Sequence, residues 1–420
     1  MTPHAAARRF YPRDLAARVR EVWPSDAQPL PAALDSLLDT AYHASFLRDE
    51  ERAVTCRILF APPEAIPTDG GPPASLLRLQ FGEPRAFDEH EIRRLSPAAK
   101  YHRALVGVDE ADGTLRTWGI VQSGPRWLQA SRGGRAVEPP LPDRLVVLVV
   151  RPGQLLVHCG ARPVAELRNG KLTDIALDVF QSRWMPARFA EERQTLVSEH
   201  RKHAGETKID PIAGELTRHV AQQLLKRIIG TMRSAHHGGA IVIAPPACVA
   251  DRMLRSKYTF SDDVPRRRFR SLMHSILDTL AEQTPDAGVT GAPSLYLQAT
   301  DPRIAELDEA LFEMSHLIAA LSDVDGAVVL TKRFEILGFG AEIAGDLPHV
   351  TTVRRALDLE AETWHDEAVD SMGTRHRSAY RLCAAVRTAI AIVVSQDGGV
   401  RIVTHHDGAV TYWDHGASDD

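Results

Sequence analysis

The chain has 420 residues, with 50 Lys and Arg against 55 Asp and Glu, a formal net charge of −5, 44% hydrophobic residues and 25% charged ones. At about 150 residues per domain this predicts two or three domains with a sizeable core, and it excludes both a disulfide-stapled miniprotein and a disordered chain. The slightly acidic balance excludes a protein that relies on overall basic charge to hold nucleic acid or an anionic membrane.

Between Asp14 and Arg52, Leu15, Val19 and Val22, then Leu34, Leu37, Leu38 and Tyr42, recur at helical spacing around Pro24, Pro29 and Pro31. Two helices are expected there. Val54–Phe60 alternates as a strand, Pro62–Ser75 reads as a loop, and Leu76–Phe81 as a second strand. Leu145–Val150, Leu155–His158 and Val164–Leu167 are short β runs parted by Pro152-Gly153 and Gly160, a meander of tight turns. Residues 1–190 therefore read as an N-terminal mixed α/β domain. The helical period returns from Glu192 to His236 (Leu216, Val220, Leu224, Ile228), and Gly238-Gly239 ends it ahead of a strand at Ala240–Ala244. Arg266–Glu282 and Pro302–Leu321 are amphipathic helices, the second opened by Asp301 as cap and Pro302 in its first turn. Ala327–Leu330 and Phe334–Phe339 form a hairpin across Lys332-Arg333. Thr374–Val386 is a helix, followed by strands at Ala389–Val394, Val400–Thr404 and Val410–Trp413. This alternation makes the fold class α/β, with residues 191–420 built on a central mixed β-sheet flanked by helices. Val149–Val157 and Val393–Val403 share a strand, Gly-turn, strand pattern, which fits either a degenerate internal duplication or two hairpins alike by chance.

The longest apolar runs, Leu145–Val150 and Ala389–Val394, have six residues each, where a bilayer span needs about 20. Arg8, Arg9, Arg13 and Asp14 have no apolar stretch behind them, so no secretory leader is expected. Cys56, Cys159, Cys248 and Cys383 form no C-x-x-C pair, which points to buried thiols in a reducing, cytoplasmic setting.

The chemistry concentrates at two places. In Gly373-Thr374-Arg375-His376-Arg377-Ser378-Ala379 a Gly-Thr pair opens a helix whose first turn carries three cationic or titratable side chains. Free backbone N–H groups and the helix dipole favour an anion there, and guanidinium groups grip phosphate oxygens bidentately. The alternative is that Arg375 and Arg377 pair with the acidic stretch Glu360, Glu362, Asp366, Glu367 and Asp370. Asp325, followed by Gly326, stands between a helix and a strand, where a carboxylate can hold Mg²⁺ or Mn²⁺ against nucleotide phosphates; alone, Asp-Gly reads as a turn.

Together the two motifs resemble the diadenylate cyclase family, whose DisA N-terminal-like fold joins two ATP into cyclic di-AMP. The likeness runs over roughly Leu216–Asp414 and is carried by Gly238-Gly239-Ala240-Ile241-Val242-Ile243, Val324-Asp325-Gly326-Ala327-Val328-Val329, Gly373–Ala379, and Ile392-Val393-Val394-Ser395 leading into Gly398. Tyr11–Leu15 and Ala41–Leu47 are similar to the DACNV branch, labelled as nucleotide sensors. The resemblance implies ATP or another nucleotide as ligand, Mg²⁺ or Mn²⁺ on Asp325, and Asp325, Arg375, His376 and Arg377 as catalytic residues. It implies nucleotide contacts from Gly326, Ala327, Gly373, Thr374, Ser378 and Ser395, with the backbone approaching the nucleotide at Gly326. An active enzyme of this kind works as a face-to-face homodimer, because each ATP supplies both a nucleophile and an α-phosphate. No membrane partner is expected.

Departures from that family pattern leave a nucleotide sensor without turnover as the alternative. Active cyclases carry Ser-Glu-Glu where this chain has Ser395-Gln396-Asp397. The base-pocket stretch is Leu337–Ile343, and residues from Gly345 to Met372 are an acidic insertion, read as a solvated loop rather than a cover. His236-His237 and His405-His406 read as exposed turn residues, and Arg266–Arg270 as a solvated basic face rather than a nucleic-acid track.

Overall fold

The computed structural model describes residues 9–72, 75–124, 135, 141–174, 177–204, 210–235, 237–283, 292–370, 372–396 and 398–415. Asp397 and His236 lie outside the described residues. The chain divides into two compact units, one within Met1–Ser131 and Ala136–Ile175, the other within Arg132–Arg135 and Ala176–Ala417. The division falls at Ile175/Ala176, ahead of the expected 190/191, because the residues after Ala176 pack into the second core: Val179, Phe180, Trp184, Met185 and Phe189 are buried with Ile228, Phe269 and Trp413.

Strands of the first unit are β1 (Arg48–Asp49), β2 (Arg52–Ala53), β3 (Cys56–Phe60), β4 (Leu77–Ala86), β5 (Ala104–Ala111), β6 (Thr114–Gln122), β7 (Leu145–Arg151), β8 (Gln154–Cys159), β9 (Arg162–Arg168) and β10 (Lys171–Asp174). β1 and β2 form a small ribbon, and the rest a sheet ordered β10-β9-β8-β7-β3-β5-β6-β4. Side chains alternate across it. Ile58, Val106 and Val147 meet Leu15, Val19, Leu34 and Leu37 of helices Pro12–Val22 and Leu34–Ala44, while Leu59, Leu105, Trp118 and Leu148 pack on the opposite face. The expected meander and paired helices are present. β5, β6 and helix Glu89–Leu95 complete the unit.

The second unit carries β11 (Gly239–Ile243), β12 (Leu254–Tyr258), β13 (Ala327–Leu330), β14 (Ile336–Ile343), β15 (Thr352–Ala356), β16 (Trp364–Ala368), β17 (Ile390–Val394), β18 (Val400–His406) and β19 (Ala409–His415). They form a sheet ordered β12-β14-β13-β11-β17-β18-β19-β15-β16. One face buries Ile241, Val328, Ile392 and Trp413 under the helices Asp210–Ser234, Arg268–Gln283 and Pro302–Leu321; the other buries Val242, Val329, Val393 and Tyr412 under helix Thr374–Ala385. Asp301 caps its helix as expected, accepting from Arg303 N at 2.7 Å. The Gly345–Met372 segment corrects its reading as a solvated loop: β15 and β16 extend the sheet as an antiparallel ribbon, with Arg354 over the Trp364 ring at 4.3 Å.

The two sheets share one strand order. β3 lies between parallel β5 and antiparallel β7; β5 turns into β6, which pairs with β4, and β7 opens the meander β8-β9. β11 lies likewise between parallel β13 and antiparallel β17; β13 turns into β14, which pairs with β12, and β17 opens the meander β18-β19. The two similar sequence stretches fall on corresponding pairs, β7-β8 and β17-β18.

Candidate functional site

Strand direction gathers the expected residues at one end of the second sheet. β11 and β13 run parallel with Ala240 opposite Ala327, so Gly238 and Asp325-Gly326 enter side by side. β17 runs antiparallel to β11 with Val394 opposite Gly239, so Ser395 and Gln396 leave at that same end. Helix Thr374–Ala385 returns the chain to the start of β17, and Ala379, Tyr380, Leu382 and Cys383 bury one side of it on the sheet. Its N-terminus thereby faces the starts of β11 and β13.

Arg375 Nη2 lies 3.7 Å from Asp325 Oδ1, and the Asp325 side chain is 89% exposed. Gly238 adopts φ +69°, and a Cβ on it would stand 3.2 Å from Arg375 Nη1 and 3.1 Å from Gln396 N. Glycine is thus what leaves the guanidinium its place. Gly373 is the N-cap, without a side-chain cap, so the first-turn N–H groups face an open end. Thr374 and Arg377 are exposed; Arg375, His376 and Ser378 are half-buried. No ion pair joins Arg375 or Arg377 to the acidic stretch among the described residues. Glu360 and Glu362 face Arg183 at 3.6 and 3.9 Å, and Glu367 accepts from the Tyr412 hydroxyl at 2.7 Å.

Three of the expected contact residues also have structural roles. Gly326 has φ +117°, and a Cβ on it would be 2.5 Å from Gly340 C, so its bareness admits the backbone of β14. Ala327 is 3% exposed and belongs to the core. Ser395 closes the β17-β18 turn, its hydroxyl donating to Gly399 O at 3.1 Å. His405 and His406 also differ from the turn reading: both end β18, and His406 packs edge-on against Trp413.

Sequence reasoning missed an aromatic patch. Tyr258, on edge strand β12, stacks on Phe339 of β14 at 4.7 Å, with Phe260 at 5.8 Å from Phe339. Tyr258 and Phe260 are exposed. A Cβ on Gly340 would be 3.5 Å from Tyr258 Cδ2 and 3.6 Å from Asp325 O, so the patch borders the Asp325 backbone. It also missed what holds the helix start. Arg401 contacts Met372 Sδ at 3.6 Å, the Tyr380 hydroxyl at 3.3 Å and Asp414 at 3.1 Å, beneath the Tyr412 ring at 4.4 Å. Burial opposes its charge, yet Tyr412, Tyr380 and Asp414 keep the guanidinium above its ordinary range. The signal for β12 was weak, since Arg255, Lys257 and Tyr258 point outward.

Among the described residues no group of three or more His, Cys, Asp or Glu side chains could hold a metal. Asp325 alone fits a Mg²⁺ or Mn²⁺ shared with phosphate oxygens, the way Mg²⁺ is commonly bound, and does not fit an all-protein cage. Among those residues no helix is long and apolar enough to cross a membrane.

Comparisons with known proteins bear on separate parts of the chain. No curated protein matches it. Among solved structures it is similar to a double-cysteine variant of DacA from Staphylococcus aureus, at 14% identity, over 46% of this chain and 86% of that one, with a TM-score of 0.23. So low a score transfers no residue roles. Residues 23–122, within the first unit, match the family described as "Probable sensor domain DACNV".

Proposed function

We propose that the second unit is a nucleotidyltransferase of the diadenylate cyclase type, binding ATP with Mg²⁺ or Mn²⁺ at the Asp325–Arg375 end of its sheet. The observation that carries this is the 3.7 Å pairing of an exposed carboxylate with a guanidinium beside a helix start that no side chain caps. Arg375, Arg377 and the first-turn N–H groups take the triphosphate, and Asp325 takes the metal that the phosphates share. The Tyr258–Phe339 patch offers the base an aromatic face. In the reaction each 3′-hydroxyl oxygen attacks the other nucleotide's α-phosphorus. Two phosphodiester bonds form, two α–β anhydride bonds break, and two pyrophosphates and two protons leave. This requires two copies face to face.

A second reading is a sensor that binds the nucleotide without converting it. Two observations favour it: Gln396, a neutral amide, borders the site through its backbone at Gly238, and the DACNV match is to probable sensor domains. Incubation with ATP, then GTP, in Mn²⁺ and Mg²⁺, with mass spectrometry of products beside a binding titration, separates the two. Cyclic di-AMP and pyrophosphate that vanish in Asp325→Asn identify the enzyme. Intact ATP with saturable binding identifies the sensor, and absence of any nucleotide binding overturns both.

A further inference from the structure

At the far end of β13 from Asp325 the second unit opens a groove of about 520 Å³, mouth included. Its walls are carbon: Phe180, Met185, Phe189, Leu225, Phe269 and Phe334. Four cations line it as well, Arg193, Arg218, Lys332 and Arg333. The carboxylate among the lining residues, Glu192, is taken by Arg333 Nε. Arg193 donates to the Pro186 carbonyl, whereas Arg218 and Lys332 have no hydrogen bond or ion pair among the described residues. Burial and the like charge of Arg188 hold the Lys332 ammonium below its ordinary range, and burial and Arg218 do the same to Arg193. Glu192 and Glu191 pull the Lys332 ammonium the other way, and the repulsion between Arg193 and Arg218 is one that a bound anion relieves.

Backbone strain marks the same place. Phe334 adopts φ +58°, a left-handed conformation that is a true outlier for so bulky a residue. The β13-β14 turn holds it there: Phe334 N donates to Thr331 O at 2.9 Å, and Thr331 Oγ1 accepts from Arg333 N and Glu335 N at 3.1 and 3.2 Å. The turn thus sets Lys332 and Phe334 into one groove, with the Phe334 ring parallel to Phe189 at 6.0 Å and tilted on Phe269 at 4.8 Å.

We infer that this groove binds a small amphipathic carboxylate, an apolar ring or short chain seated among the phenylalanines with its carboxylate on Lys332, Arg218 and Arg193. The site is separate from the nucleotide end and does not depend on that reading. A lining in which phenylalanine and aliphatic carbon predominate suits an apolar ring or chain better than the polar edge of a nucleotide base.

The test is calorimetric titration of the full chain with octanoate, octan-1-ol and octylammonium. Octanoate is expected to bind one to one, octanol at least ten-fold more weakly, and octylammonium without saturation. Lys332→Met and the exposed Arg218→Ala are each expected to weaken octanoate several-fold and leave octanol unchanged. Ala221→Trp, which fills the groove, is expected to remove both, with circular dichroism confirming the fold. Octanol binding as tightly as octanoate, octanoate binding indifferent to Lys332→Met and Arg218→Ala, or no binding by any of the three overturns the assignment.

Discussion

Replacing Gly326 by alanine isolates the contact on which the Asp325 end of the sheet is built. At φ +117° an L-residue is strained, which costs about 1–3 kcal/mol. The new Cβ would also stand 2.5 Å from Gly340 C and 2.7 Å from Ala341 N. Backbone atoms cannot swing aside as a side-chain tip can, so overpacking adds about 1–3 kcal/mol. Gly408 is the matched control: its φ is +84°, in the β18-β19 turn, and a Cβ there meets nothing within 4 Å. Gly408→Ala therefore bears the strain alone. With a urea slope of about 2 kcal/mol/M, the additional destabilisation of Gly326→Ala corresponds to a midpoint roughly 0.5–1.5 M lower than that of Gly408→Ala. Urea unfolding followed by tryptophan fluorescence measures it, since Trp413 lies in the second core. ATP binding should fall with Gly326→Ala and persist with Gly408→Ala. Equal midpoints would refute the reasoning, because the approach of Gly340 would then not be what demands glycine.

Arg375→Ala should weaken ATP about ten- to hundred-fold, the worth of charge-assisted hydrogen bonds at about 1.5–3 kcal/mol, whereas Asp325→Asn should abolish metal-dependent turnover and keep much of the ATP affinity; equal losses in a titration would contradict that division. Calorimetry should find no saturable Mg²⁺ binding without ATP, since a lone carboxylate offers too few ligands, and tight Mg²⁺ binding to the free protein would speak against it. In the first unit, burial and then the Arg57 charge push His158 down to about 4 from 6.5. The unfolded chain therefore takes the proton first, so stability is full above about pH 6.5 and falls, by up to roughly 3 kcal/mol, as pH drops toward 4; denaturation at pH 7 and 4.5 should show the loss, and His158→Leu should flatten it. Cys56 and Cys383, pushed up to about 12 by burial, should resist a thiol reagent at pH 8 until denaturant is added.

Elements stabilised by their own side-chain pattern were legible, and those stabilised by neighbours were not. The Pro302–Leu321 helix announces itself through Asp301-Pro302 and its buried Ile304, Leu311 and Ile318. β5 and β6, for which no strand was expected, contain Gly107 and Gly119. In the fold Gly107 lies under the Trp118 ring, where a Cβ would be 2.4 Å from Cζ2, and a Cβ on Gly119 would be 2.3 Å from Leu79 O. β15 and β16 are rich in charge and hold through Arg355–Asp414 and Arg354–Trp364, contacts that no apolar period encodes. At the site, the Asp325 and Gly373–Arg377 motifs were legible because a helix start and a strand start are local features. Tyr258 was not, because its place beside Asp325 depends on β12 pairing with β14.

The ribbon of β15 and β16 joins the sheet by a thin seam. Among the described residues the backbone of β15 pairs with β19 at Arg354–Thr411 and Arg355–Tyr412, with the Arg355–Asp414 ion pair beside them, while β18 and β19 stay in register from Val400–His415 to His406–Ala409. A segment attached so lightly opens without unzipping the strands behind it, and its amide protons should exchange with solvent ahead of those of β17–β19. Its opening strips Glu367 from Tyr412 and loosens the Arg401 cluster that steadies Met372, one residue before the Gly373 cap. Any ligand gripped by that helix start then binds only the closed fraction, and its measured affinity is the intrinsic one scaled by how long the ribbon stays shut.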